Sequence, residues 1–388
     1  MKYFISAGEA SGDLHASELI KALKALDLNA KFDFLGGDLM AEAAGNAPII
    51  HYRDMAFMGF VDVIKHLGAV TGNLKTAKQA ISDGHPDAVI LVDYPSFNLR
   101  LASHAYKLGI PVYYYISPKV WAWKEGRVKQ IKKFVRRMYS ILPFEVEFYS
   151  NRHGYEVDYV GNPSAEEVDA RIPSLPTQAE FAKVYNLDPD RPIIALVPGS
   201  RVSEIKNNMA IMAEVASRHP EYQAVVAGAP SIDDSLYRSL TQLPVVHGAT
   251  FELVGIADVA LVTSGTATLE AALLGTPQVV CFRHGGSKLV YNMYKRLLKI
   301  PFVSLPNLIA NQAVVPEMLM HLCTADSVDK ELTKILPDTP GRKAQFDGYA
   351  VMRQRLGTNK AATTAAGLLT DDLKRLKKQH ITNKNAKM

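Results

Sequence analysis

Residues 260–283, ALVTSGTATLEAALLGTPQVVCFR, join two apolar runs through a turn of hydroxyl and glycine residues and a helix-length segment. Strands separated by one helix pair in parallel, because the crossover carries the chain back to the starting end of the sheet. The same alternation runs through the chain. KYFISAG, KFDFLGG, DAVILVDYP, VYYYISP, MYSILPF and DYVGNP fall in the first half, and PIIALVPGSR, YQAVVAG, PVVHGA and DVALVTSG in the second. This pattern predicts an α/β fold with two doubly wound, Rossmann-like parallel sheets. A length of 388 residues suits two domains, and 48% hydrophobic content lets each bury a core. A proline-rich stretch at 171–177, RIPSLPT, reads as the connection. The expected organisation is a first domain at 1–165, a second at 166–345 facing it across a cleft, and C-terminal helices at 346–388. Those helices are expected to cross back to the first domain and end in a basic, frayed tail.

The two cysteines, Cys281 and Cys323, have no metal-type spacing and read as buried thiols of a reducing compartment. The N-terminal MKYFISAGEASG is too short in its apolar part for a signal peptide and reads as a first strand. No run approaches the roughly 18 apolar residues of a membrane span. A cytoplasmic protein with at most peripheral membrane contact is expected. The net charge of +5 is unevenly placed: 124–137 (KEGRVKQIKKFVRR) carries a local +6 and 371–388 a local +4, leaving −5 elsewhere. Such clusters suit anionic lipid surfaces, phosphorylated substrates or solvated helix faces. Nucleic acid is disfavoured, because no reader module accompanies them.

Four loops carry the candidate chemistry. Ser264, Gly265, Thr266 and Thr268 sit where a helix begins, and Glu270 lies on its first turns. Unpaired amides and about half a positive charge make a helix start suitable for phosphate, with Glu270 placed to hold ribose hydroxyls. Pro198 is followed by Gly199, Ser200 and Arg201 at another strand end, where free amides and a guanidinium suit a pyrophosphate. Two such turns in one domain favour a nucleoside diphosphate. The chain has neither a Walker A loop nor a G-x-G-x-x-G fingerprint. In the first half, ISAGEASGD displays Glu9, Ser11 and Asp13, and Asp93 ends an apolar strand before Tyr94-Pro95-Ser96-Phe97-Asn98. A carboxylate at that tip is placed to take a proton from a hydroxyl, or simply to cap the next turn.

Asp188-Pro189-Asp190 matches a metal-binding Asp-x-Asp by letter but reads as a plain turn, so no metal and no cofactor are expected. Residues 55–71 form an apolar helical stripe, with Met58 and Phe60 among its members, that is either a core helix or a lipid-facing surface. Trp121 and Trp123, beside the basic segment, read as interfacial anchors or as core tryptophans.

Together these segments resemble the lipid-A-disaccharide synthase family, inverting glycosyltransferases of the B fold. The resemblance rests on Ala7–Asp13, Met58-Gly59, Asp93 with Pro95, Phe97 and Asn98, and Ser117-Pro118 with Val120-Trp121-Ala122-Trp123 and Arg127. It continues through Leu142-Pro143-Phe144-Glu145, 198–201, 264–270 and Ser304-Leu305-Pro306-Asn307. This chain departs from the family at Asn162, where histidine is frequent, at Asn311-Gln312, and at Phe282. The resemblance implies transfer of 2,3-diacylglucosamine from its UDP derivative to 2,3-diacylglucosamine 1-phosphate (lipid X), forming a β-1,6 bond and releasing UDP. For that reaction Asp93 is expected as general base, with Glu9 or Asp13 as alternatives. The donor would rest on 199–201 and 264–268, with Glu270 on the ribose and Asn307 completing the pocket. Ser11, Asn98, Met58, Phe60, Trp121, Trp123 and Arg127 would contact acceptor, lipid or an anionic inner-membrane surface. The basic segment would hold either the membrane or the acceptor phosphate, and a homodimer is allowed. A UDP-N-acetylglucosamine 2-epimerase or a non-catalytic sugar-nucleotide-binding protein would share the architecture.

Overall fold

The computed structural model describes residues 1–55, 67–122, 124–283 and 301–385. Met58 and Phe60, with most of their apolar stripe, and Trp123 lie outside the described residues. The chain forms two compact units, Met1–Pro163 with Thr358–Met388, and Ser164–Gly357. The 171–177 stretch does not connect them. It lies inside the second unit, where Ile172–Ser174 makes one 3-10 turn.

The first unit holds a parallel sheet of β1 (Lys2–Ala7), β2 (Lys31–Gly36), β3 (Ile50–His51), β4 (Ala88–Val92), β5 (Val112–Tyr115), β6 (Arg137–Ser140) and β7 (Asp158–Tyr159) in the order 3-2-1-4-5-6-7. The second holds β8 (Ile193–Val197), β9 (Gln223–Gly228), β10 (Val245–His247), β11 (Val259–Thr263), β12 (Gln278–Phe282) and β13 (Glu317–Leu319) in the order 10-9-8-11-12-13, again parallel. The fold class is as expected. Strands covered by helices on both faces need apolar residues at every position, which is why β4 reads AVILV and β8 IIALV, buried throughout. In β8, Ile194 and Leu196 join a core with Met209 and Met212, while Ile193, Ala195 and Val197 join another with Leu253 and Val254. The edge strands β3 and β13 are two and three residues long and carry no readable period.

Each sheet reverses its winding beside its first strand, between β1 and β4 and between β8 and β11. In open α/β sheets ligands bind outside the carboxyl ends of the strands at this switch point. The four loops there begin at Gly8, Asp93, Pro198 and Ser264, the four that carry the candidate chemistry.

The last helix, Ala361–Asn385, belongs to the first unit. Its Ala365, Ala366, Leu369 and Leu373 pack in the first unit's core with Leu19, Ile20 and Leu23. Asp372 points inward with them and accepts from the Tyr113 hydroxyl at 2.7 Å and from Arg136 Nε and Nη2 at 2.6 and 3.0 Å. Burial raises its pKa, but the bonds from Arg136 and Tyr113 prevail and hold the carboxyl below its usual range. Asp372→Ala is expected to cost about 2 kcal/mol, because the buried Tyr113 hydroxyl and the Arg136 guanidinium lose their shared acceptor. A depressed carboxylate stabilises above its unfolded pKa and loses that contribution as pH falls through the folded value. The difference between wild type and variant in urea unfolding should therefore be full near pH 7 and shrink at about pH 3.

Candidate active site

At the first switch point, Asp93 and Tyr94 both take left-handed backbone angles, with φ of 41° and 47°. Two consecutive non-glycine residues there cost on the order of 1–3 kcal/mol each. The turn is held by donors on either side: Asn98 Nδ2 at 2.7 Å and the Tyr114 hydroxyl at 2.6 Å both donate to the Asp93 carbonyl. The Tyr94 ring then lies against Gly8, where a Cβ would meet it at 2.3 Å. Burial, then the charge of Glu9, pushes the Asp93 carboxyl up to about 6, against the pull of Lys119 and the Tyr94 amide. Such a group is mostly ionised at neutral pH and basic enough to accept a hydroxyl proton. Glu9 is half-buried beside it and caps no amide of the helix Ala10–Leu26, and Ser11 is exposed on that helix's first turn.

Two expected members of this group are turned inward. Asp13 is 3% exposed and accepts from the amides of Gly37, Leu39 and Met40 at 2.6, 3.1 and 3.2 Å. Its carboxylate caps the helix Asp38–Ala44 and is not available as a base. Asn98, expected to touch an acceptor, is fully buried. It accepts from Ser6 Oγ at 2.7 Å and donates to the carbonyls of Ser6, Val92 and Asp93, tying the ends of β1 and β4 together.

Trp121 is no interfacial anchor. Its ring is buried edge-on to Phe144 at 5.0 Å, and its Nε1 donates to Glu145 Oε1 at 2.8 Å. An indole with a buried acceptor for its N–H has no reason to seek the headgroup boundary. The core alternative holds. Glu145, given no role at the sequence level, also accepts from Ser140 Oγ, and burial pushes its pKa up to about 7 against those two bonds and the Lys119 charge. Its sequence signal was an acid just inside a helix begun by Pro143 at a strand end. Arg127 is half-exposed and donates from Nη2 to Ser96 Oγ at 2.9 Å.

At the second switch point, Gly199 has φ of 119°, and a Cβ there would lie 2.6 Å from Glu204 Oε2. That oxygen accepts from the amides of Ser200 and Arg201 at 3.1 and 3.3 Å, while Oε1 meets Arg201 Nη1 at 2.9 Å. The turn thus already holds an anionic group on the amides expected to take phosphate, and the Arg201 side chain is 75% exposed. Gly265, with φ of 152°, opens the helix Thr266–Leu274 between half-buried Ser264 and exposed Thr266. Amides at such a start have no intrahelical acceptor. Glu270 is half-buried one turn further on. Burial pushes its pKa up, Arg171 opposes this, and Glu167 and Glu252 add to it.

Thr268 and Asn307, expected to touch the donor, both face inward. Thr268 is fully buried and its hydroxyl donates to the Gly265 carbonyl at 2.8 Å, so it shapes the turn from inside. Asn307 is 1% exposed; it accepts from the amides of Val314 and Val315 and donates to Val315 O and Glu317 Oε1. Its amide is spent on its own loop. Asp188 Oδ1 accepts from the Asp190 amide at 3.0 Å, the turn that its sequence suggested. A residue that the sequence did not single out is Asn208, 1% exposed. It donates to Thr263 Oγ1 at 3.0 Å and Pro198 O at 3.4 Å and accepts from the Arg283 amide at 2.9 Å, linking the ends of β8, β11 and β12. Its signal was a lone amide on the face that buries Ile205, Met209 and Met212.

Glu145 yields a stability test. Its folded pKa lies above its unfolded value, so its stabilising contribution is full below about pH 4.5 and lost as pH rises through about 7. Relative to Glu145→Gln, the wild-type protein should lose unfolding free energy between pH 5 and 8, read from urea midpoints. A constant difference would show that Glu145 does not titrate there.

The lipid-A-disaccharide synthetase family model matches residues 3–368. A lipid-A-disaccharide synthase of Myxococcus xanthus is 41% identical over 375 residues, covering 94% of this chain and 96% of that one. One of Geobacter metallireducens is 36% identical over 381 residues, covering 96% and 97%. Among solved structures, a UDP-GlcNAc 2-epimerase from Neisseria meningitidis bound to UDP-GlcNAc aligns with a TM-score of 0.60 at 13% identity, over 97% of this chain and 100% of that one. The glycotransferase of kitacinnamycin aligns at 0.61 and 13%, over 95% and 98%. These two likenesses carry the two-sheet architecture alone. The family match and the relatives carry more: this chain belongs to the lipid-A-disaccharide synthase family.

Proposed function

We propose that the chain transfers 2,3-diacylglucosamine from UDP-2,3-diacylglucosamine to the 6-hydroxyl of 2,3-diacylglucosamine 1-phosphate, releasing UDP. The observation that carries this reading is the family match from residue 3 to residue 368. The geometry supports the following roles. Asp93 takes the proton of the acceptor 6-hydroxyl as its oxygen attacks the anomeric carbon from the face opposite UDP. The bond from that carbon to the diphosphate oxygen breaks, UDP departs with the electron pair, and the α-linked donor becomes a β-1,6 product. Glu9 keeps the proton affinity of Asp93 high. In the second unit, the amides of Ser200 and Arg201 and of the turn at 264–266 meet the charge that grows on UDP. Donor diphosphate takes the place of the Glu204 carboxylate on the first turn and frees Arg201 to pair with phosphate. Glu270 receives the ribose hydroxyls. Asp13, Asn98, Thr268 and Asn307 act beneath these groups, as the scaffold of the loops.

Membrane contact belongs to the same reading. Among the described residues no helix is long and apolar enough to cross a membrane. The exposed Lys129, Lys132 and Lys133 on the helix Val128–Phe134 support peripheral docking on anionic lipid.

The deciding assay is UDP release by purified protein in detergent, with and without the acceptor and with EDTA present. Acceptor-dependent release together with a tetra-acyl disaccharide is expected. Turnover of soluble UDP-N-acetylglucosamine without acceptor would mean an epimerase, and donor binding without turnover a binding protein. Asp93→Asn should lower kcat by about 10²–10⁴-fold with donor affinity little changed, whereas Arg201→Ala should weaken donor binding and cost about 10²–10³-fold. In wild type, kcat/KM should fall as pH drops below about 6, where Asp93 becomes protonated.

A further inference from the structure

The helices Leu67–Gly84, Pro95–Lys107 and Val128–Phe134 of the first unit, with the turn Glu125–Arg127, flank an open pocket of about 600 Å³. Three cations line it, Lys78, Arg100 and Arg127, and no carboxylate does. Among the described residues none of the three is paired with an acid. Arg136, Arg137 and Lys2 of the same unit are neutralised differently, by Asp372, Asp158 and Asp33. Three like charges gathered around one cavity repel each other and favour an anion between them. Two of them are guanidiniums, whose planar fork matches phosphate oxygens. Ser96, to which Arg127 donates, adds a hydroxyl from the first turn of the Pro95–Lys107 helix, the end that favours negative charge. Leu99 and Phe134 supply apolar wall.

The pocket's lining includes Pro95 and Ser96, two and three residues along the chain from Asp93. The Tyr114 hydroxyl donates to the Asp93 carbonyl and lies within electrostatic reach of both Asp93 and Arg127. A hexose 1-phosphate carries its phosphate and its 6-hydroxyl at opposite ends of one ring. We propose that this pocket is the acceptor's phosphate subsite: Arg127, Arg100 and Lys78 bind the phosphate monoester of an acylated sugar while its 6-hydroxyl meets Asp93. The proposal rests on the transferase reading above and assigns the cationic wall to substrate instead of to the bilayer.

The test compares two acceptors, 2,3-diacylglucosamine with and without its 1-phosphate, on wild type and on the double variant Lys78→Gln/Arg100→Gln. Wild type should prefer the phosphorylated acceptor by tenfold or more in kcat/KM, about what two charge-assisted contacts provide. The variant should lose most of that preference through acceptor KM, with donor KM unchanged, and Arg100→Lys alone should retain much of it. An unchanged preference in the double variant overturns the proposal, including the case where the variant stops sedimenting with phosphatidylglycerol vesicles, since the pocket would then serve bilayer phosphates. Equilibrium binding of radiolabelled 2,3-diacylglucosamine 1-phosphate in detergent, without donor, keeps the two readings apart. If wild type makes no disaccharide, the transferase reading fails. Weaker binding to the variant still supports the phosphate subsite, and equal binding overturns it.

Discussion

Two buried amides hold both switch points in shape. A parallel sheet leaves the carboxyl ends of its strands open where the winding reverses, and nothing in the ladder fixes the loops that leave there. Asn98 does so in the first unit, joining Ser6 at the end of β1 to Val92 and Asp93 at the end of β4. Asn208 does so in the second, joining Pro198, Thr263 and Arg283 at the ends of β8, β11 and β12. Each sits on the helix that follows one of the strands it ties. Asparagine suits the task because a single planar amide both donates and accepts, and once sealed from water every one of those bonds is costly to lose. The strained Asp93-Tyr94 turn persists because Asn98 and Tyr114 over-determine its backbone, which leaves the carboxyl free for other work.

The carboxylates of the first unit show how surroundings sort one functional group into separate roles. Asp13 accepts three amides and is spent on a helix start. Asp372 faces a guanidinium and a phenol and is held ionised. Glu145 is enclosed with an indole and a hydroxyl and titrates near neutrality. Asp93 has burial and a neighbouring acid raising it and a lysine lowering it, and is half-buried at the end of its strand. The division follows from what each side chain faces, and each of the four has a partner at least 24 residues away in the chain.

That dependence marks the boundary of what could be read beforehand. The sheets were legible because doubly covered parallel strands leave long apolar runs, and the four loops because glycine and hydroxyl residues cluster where strands hand over to helices. The direction of a polar side chain within its loop was not. Asp13 meets amides 24 to 27 residues away and Asn98 meets Ser6 across 92, so no local pattern records that they face inward. Thr268, Asn307 and Trp121 stood in the right segments and turned toward the interior for the same reason. The very short β3 and β13 escaped because two or three residues cannot show a period.

The first unit is assembled from both ends of the chain, with the whole of 164–357 lying between. During synthesis its sheet leaves the ribosome without Ala365, Leu369 and Leu373, which close one side of its core. At about 5–20 residues per second the missing cover arrives on the order of 10–40 s later. For that interval the face lined by Leu19, Ile20 and Leu23 is bare, and the second unit, contiguous in sequence, can finish first. A nascent chain of this design needs an escort, or a slowly aggregating N-terminal half, until its final helix is made.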